Sequence, residues 1–268
     1  MATFVNEFIS RYDQIIFDPL MRQYYGAKDY YNVGYWDTDI STQEQACDHL
    51  VERLLSGMPA HDQTILDVAC GLGATTNHIA HLRPNAQIIG VNISARQLEC
   101  CRQSAPNCDF LQMDANGFGL RDSSFDAVVC VEAAFHFHTR RDFLREAWRV
   151  LKPGGHLLLS DILFHSEQWA GAWTIPRENY VTNLAAYREI VADAGFDSII
   201  IDDATEACWT SYWRELKRWI DRQHSEGEMD AGVWQMWTQI ASEMESEAVR
   251  HYLLMTAQKG QTSMSCEM

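Results

Sequence analysis

The chain has 268 residues, 47% of them hydrophobic, with fifteen glycines and six prolines, a composition of ordinary globular proteins that excludes collagen and disorder. Thirty-seven acidic against twenty-one basic side chains leave a net charge of −16, a field that repels phosphate backbones and argues against nucleic acid and anionic membrane as partners. The eight cysteines form no C-x-x-C pair and no metal-ligand spacing, the first residues carry no signal-peptide pattern, and no window of about 18 apolar residues occurs. A cytoplasmic chain with reduced thiols and no membrane insertion is expected.

Ser41 with Glu44 resembles a capping box. It opens a helix whose buried stripe is Ala46, Leu50, Val51, Leu54, Leu55 and Met58. Short apolar runs follow at 64–69, 87–91, 109–113, 125–131 and 156–160, separated by helix-like or turn-like sequence. Apolar strands alternating with helices predict a parallel sheet covered on both faces. Ser94 with Gln97 and Thr139 with Asp142 mark the starts of two of those helices. In the second, Phe143, Leu144, Ala147, Trp148 and Leu151 repeat on one face, and Lys152-Pro153-Gly154-Gly155 ends it. Beyond this core, 183–194 reads as a helix, 198–201 as a strand, 209–222 and 233–249 as Trp-rich helices, and 250–258 as a last strand.

The first strand of the core runs into D-V-A-C-G-L-G-A-T-T, residues 67–76, so a glycine-bearing turn sits at the crevice where doubly wound sheets bind ligands. Gly71 and Gly73 permit tight turning and close approach of a ligand, although a bare G-x-G also fits a simple turn. The dinucleotide pattern is incomplete, because Thr76 stands at its third glycine. NAD, and with it a dehydrogenase, is disfavoured. A phosphate-free adenosine cofactor needs glycine contacts, a polar group ending strand two and a carboxylate after strand three. Asn92 and Asp114 stand at those places, with Asp67 in the first turn.

These stretches, together with I-I-G-V-N-I-S-A-R-Q-L, S-F-D-A-V-V-C-V-E-A-A-F-H-F and R-E-A-W-R-V-L-K-P-G-G-H-L-L-L-S-D-I, run in order over roughly residues 64–162. The chain thereby resembles class I S-adenosylmethionine-dependent methyltransferases of the small-molecule type, in the macrolide-sugar and sterol-like group. The resemblance implies a Rossmann-like, doubly wound seven-stranded α/β sheet with its last strand antiparallel. It implies an N-terminal helical cap and lid at 1–60, a core at 61–259 with an acceptor-site insertion at about 163–182, and a flexible tail at 260–268. It implies S-adenosyl-L-methionine as cofactor, with Asp67, Ala69, Gly71 and Gly73 at its methionine portion and Asp114 and Ala115 at its adenine.

Near the ribose the resemblance puts Asn92 and Ile93, where many members carry an acidic residue. Gln97 is a second ribose candidate and equally a capping-box side chain. The segment Y-Y-N-V-G-Y-W-D at 30–37 looks like the aromatic-glycine cover of the cofactor. Tyr35 or Trp36 would attract a sulfonium by cation–π interaction, or would simply seat the cap on the sheet.

Past strand four lie Glu132, His136 and His138. Glu132 is assigned to both cofactor and chemistry, and His138 to the surface. His136 is the candidate general base, since imidazole has a suitable proton affinity near neutral pH, against an ordinary structural role. Asp161 matches an acceptor-site carboxylate of the sugar-methylating relatives, or caps its loop. Trp169, Trp173 and Tyr180 line an acceptor pocket or pack against the cap. The function so implied is methylation of a small-molecule, natural-product-like acceptor, with oxygen as the methylated atom. N- or C-methylation, or a non-catalytic cofactor-binding module, are the alternatives, and a homodimer is left open.

Overall fold

The computed structural model describes Asp13 and residues 16–59, 63–166 and 175–261. Helix α1 (Pro19–Tyr25) is capped by Asp18, whose carboxylate accepts from the amides of Leu20 and Met21. Proline suits its first position, where no amide donor is needed. Helix α2 (Gln43–Leu55) starts one residue later than expected. Thr42 is the N-cap, accepting from the Gln45 amide at 3.2 Å, and Gln45 reaches back to Ser41. Glu44 is drawn instead to the Ala27 amide and to Lys28.

Seven strands follow: β1 (Thr64–Val68), β2 (Gln87–Asn92), β3 (Asp109–Gln112), β4 (Phe125–Val131), β5 (Leu151–Phe164), β6 (Phe196–Asp203) and β7 (Val249–Lys259). Their order across the sheet is β3-β2-β1-β4-β5-β7-β6. The first five pair in parallel, and β7 runs antiparallel to β5 and β6. This is the expected seven-stranded, doubly wound sheet. Strand β5 begins directly after its preceding helix, where Leu151 pairs with Phe125, and is longer than the expected 156–160; β7 pairs with it from His156 to Phe164, with a register shift between Leu163 and Phe164.

The apolar runs show no alternation because both faces of the sheet are covered. Ile65, Ala127, Val129 and Leu158 join one core, built with α1, α2 and the helices α7 (Ser211–Ser225) and α8 (Ala231–Glu243). Leu66, Val68, Val128, Cys130, Leu157 and Leu159 join the other, under α5 (Arg140–Val150) and α6 (Leu184–Asp193). A π-helical turn at Met244–Ala248 ends α8 short of the expected residue 249. No helix among the described residues is long and apolar enough to cross a membrane.

Strand order reverses between β1 and β4, so the space beyond their carboxyl ends is open. The turn after β1 leads into α3 (Ala74–Leu82), whose N-cap is Gly73 at φ 91°. A Cβ at Gly73 would lie 2.9 Å from both Cys101 Cα and Ser104 Oγ of the next helix, α4 (Ala95–Ser104). Gly73 therefore fixes helix packing. Gly73→Ala combines a left-handed backbone with overpacking and is expected to destabilise the chain by about 2 kcal/mol or more. Urea unfolding measures it, and a midpoint equal to wild type would refute the packing role.

Candidate active site

A cleft open to solvent lies at the carboxyl ends of β1, β2 and β4. The expected residues Asp67, Ala69, Gly71, Asn92, Ile93, Gln97, Asp114, Ala115, Glu132 and His136 all line it.

The turn beyond β1 is built from three left-handed residues, Ala69 at φ 59°, Gly71 at φ 56° and Gly73. Only Gly71 has open space where a Cβ would stand, with nothing within 4 Å. An added side chain there would occupy the cleft itself. Asp67, 1% exposed, accepts from Thr76 Oγ1 at 2.5 Å, and burial pushes its carboxyl up to about 7. At the end of β2, Asn92 Nδ2 donates to Gly71 O at 3.1 Å and to Gln97 Oε1 at 2.8 Å. Ser94 caps α4 as expected, accepting from the Gln97 amide, but the Gln97 side chain does not return to it and donates to Asp13 instead. Asp114 accepts from the Asn116 amide at 2.9 Å at the end of β3.

Glu132, like Asp29 and Ala69, is a non-glycine residue of the cleft in the left-handed region, at φ 49°. Its Oε1 accepts from the Val33 amide at 2.8 Å and from Tyr252 Oη at 2.6 Å. Burial raises its carboxyl to about 7, against the lowering effect of those two hydrogen bonds. His136 lies in the short 3-10 turn Ala134–His136 and faces the same cleft, with exposed His138 at the rim. Two titratable side chains thus flank the open end of the sheet.

A family model described as a methyltransferase domain matches residues 66–159, which span the glycine turn and the strand-four loop. Residues 66–159 are thereby identified as a class I S-adenosylmethionine-dependent methyltransferase domain. It is 27% identical over 269 residues to the 27-O-demethylrifamycin SV methyltransferase of Amycolatopsis mediterranei, covering 95% of this chain and 97% of that one. It is 29% identical over 211 residues to the erythromycin 3''-O-methyltransferase of Saccharopolyspora erythraea, covering 69% and 68%. In fold it is similar to a putative sarcosine dimethylglycine methyltransferase from Galdieria sulphuraria, with a TM-score of 0.76 at 16% identity over 90% of this chain and 97% of that one.

In this methyltransferase four expected site residues do not line the cleft. Gly73 serves helix packing, as above. Tyr35 stands edge-on to His49 with Arg53 over its ring, and Trp36 donates to Val33 O and Ala207 O. The reason is Gly34, at φ 74°, where a Cβ would lie 2.5 Å from Ala46 Cβ. The chain turns onto α2 there, so the residues of the segment that line the cleft are Tyr30, Tyr31 and Asn32. Tyr30 and Tyr31 were legible as part of the aromatic segment but not as its inner face.

Asp161 is the fourth. It is 0% exposed and bonded to Arg140 Nε at 2.6 Å and to Tyr187 Oη at 2.8 Å. Arg140, 2% exposed, also donates to Ile162 O and to Asn179 O. Asn179 in turn donates to Phe135 O at 3.2 Å and Phe137 O at 2.6 Å, the carbonyls on either side of His136. Asp161 is the root of a buried network that ends at the His136 turn. Of the expected acceptor-site aromatics, Trp169 and Trp173 lie outside the described residues, and Tyr180 donates to His165 O, away from the cleft.

Removing one partner of a buried ion pair leaves the other charge uncompensated, at a cost of about 3–5 kcal/mol. Asp161→Asn is expected to lose stability on that scale in denaturant titration. A loss below about 1 kcal/mol would show that the pair is not structural.

Proposed function

We propose that this enzyme methylates a hydroxyl oxygen of a small, partly apolar metabolite, with His136 as general base. The observation that carries the reading is the lining of the cleft: His136 and Glu132 stand in it beside the glycine turn. Oxygen as the methylated atom is supported by the names of relatives whose alignment covers most of the chain, 27-O-demethylrifamycin SV methyltransferase and erythromycin 3''-O-methyltransferase. A cytoplasmic location is part of the proposal and is supported by seven free cysteines among the described residues.

The residues present fit S-adenosylmethionine, since the backbone at Gly71 is bare toward the cleft and a buried carboxyl, Asp67, lies beneath the turn. Asp67, Ala69 and Gly71 would hold the methionine portion, Asn92, Ile93 and Gln97 the ribose, and Asp114 with Ala115 the adenine. Bound there, the sulfonium supplies an electrophilic methyl group: an O–C bond forms as the C–S bond breaks, and its electron pair stays on sulfur.

His136 accepts the proton released from the acceptor hydroxyl. Glu132 holds the Val33 segment over the site through its Oε1, and its raised proton affinity suits it to stay near half-ionised at neutral pH. Much of the remaining catalysis is orientation, which an in-line displacement demands.

Incubation with methyl-labelled cofactor and a panel of hydroxylated, amine and isoprenoid acceptors tests the acceptor class. Label in the amine or isoprenoid arm alone would refute O-methylation. General-base catalysis of this kind contributes about 10²–10⁴-fold, so His136→Ala is expected to lower kcat by at least about 100-fold. Unchanged turnover across pH would remove His136 from the chemistry.

Asp67 supplies a second test. With its carboxyl at about 7, it is mostly protonated at pH 6 and mostly ionised at pH 8. The ammonium group of S-adenosylhomocysteine favours the ionised form, so affinity should rise between those values. The same shift lowers fold stability as pH rises toward 7, because the native state holds the proton more tightly than the unfolded chain does. Calorimetry of Asp67→Asn should give a flatter affinity profile than wild type; an unaltered slope would assign the pH effect elsewhere.

A further inference from the structure

Asn92 and Gln97 line the cleft side by side, and each amide carries a donor end and an acceptor end. Their shape alone does not decide which end faces a ligand. Asp13 decides it. This residue precedes α1, is 7% exposed, and accepts from Gln97 Nε2 at 2.7 Å and from Ser94 Oγ at 3.3 Å. A carboxylate accepts and does not donate, so Gln97 must turn its amino group toward Asp13 and its carbonyl toward Asn92.

That orientation propagates. Gln97 Oε1 accepts from Asn92 Nδ2 at 2.8 Å, while the other hydrogen of Nδ2 goes to Gly71 O at 3.1 Å. Both donors of Asn92 are then used. Its Oδ1 accepts from the Ser94 amide at 3.2 Å and keeps one lone pair, as does Gln97 Oε1. The segment bearing Asp13 is seated independently: the guanidinium of Arg96 lies 3.9 Å from the centre of the Phe17 ring, and buried Ile16 lines the cleft.

We infer that Asp13 is a positioning residue that makes this end of the cleft an acceptor of hydroxyl hydrogens, so that two neutral amides recognise a vicinal diol. The inference rests on the reading that the cofactor ribose lies against Asn92 and Gln97.

Calorimetry with S-adenosylhomocysteine and with its analogue lacking both ribose hydroxyls tests it. Wild type should bind the parent more tightly than the analogue. Asp13→Ala should weaken the parent about five- to tenfold, the loss of roughly one hydrogen bond, and the analogue by less than about twofold. Asp13→Asn retains an acceptor for Gln97 and should stay within about twofold of wild type for both ligands. Equal losses for parent and analogue in Asp13→Ala would overturn the inference and make Asp13 a mere seat for the segment. A wild type that does not distinguish the two ligands would overturn it through its premise, the position of the ribose.

Discussion

The site depends on two backbone kinks at the end of the sheet. Ala69 and Glu132 both adopt left-handed conformations just past β1 and β4, neighbouring strands whose register sets Val68 beside Cys130. Such residues cost of order 1–3 kcal/mol each and persist only where surrounding structure holds them. At Glu132 the holding groups are plain: its amide donates to Ser160 O and Oγ, and its carboxyl accepts from Val33 and Tyr252. Without the kinks the two strands would run on and close the crevice that their reversed order opens.

Those same contacts explain why a side chain from the last strand matters to the first loop. Tyr252 lies on β7, where it pairs with Ile162 of β5, and its hydroxyl reaches Glu132 across the sheet's end. Val33 reaches the same oxygen from the N-terminal segment. One carboxyl oxygen therefore joins three parts of the chain that are far apart in sequence. A carboxyl raised to about 7 in this position also means that the joint carries a full charge only above neutrality.

Much of this was legible in the residues. Strand runs, the glycine turn, the Ser94 and Thr139 caps and the polar groups ending β2 and β3 are local patterns, and local patterns fix local structure. What escaped depends on partners distant in the chain. Asp161 reads as a site carboxylate until Arg140, twenty-one positions earlier, is brought against it. Tyr35 and Trp36 read as the cofactor face until Gly34 meets Ala46 and turns the chain over. Asp13 has no sequence signal at all, because its meaning lies in Gln97 and Ser94, more than eighty positions away.

The Arg140–Asp161 pair deserves its cost only if it specifies geometry, since taking two charges out of water consumes most of their mutual attraction. Here every remaining group is met. Asp161 takes Tyr187 and its own neighbour's amide, and Arg140 takes two backbone carbonyls. The bidentate fork fixes the start of α5 against β5, because guanidinium and carboxylate match in only a few orientations. Asn179 then carries that orientation forward: its side-chain oxygen accepts from the Arg140 amide while its amino group grips the carbonyls beside His136. An apolar substitute of equal volume would fill the same space and leave the turn free to slide. Position at the imidazole is therefore set by a charge pair that never meets the cleft.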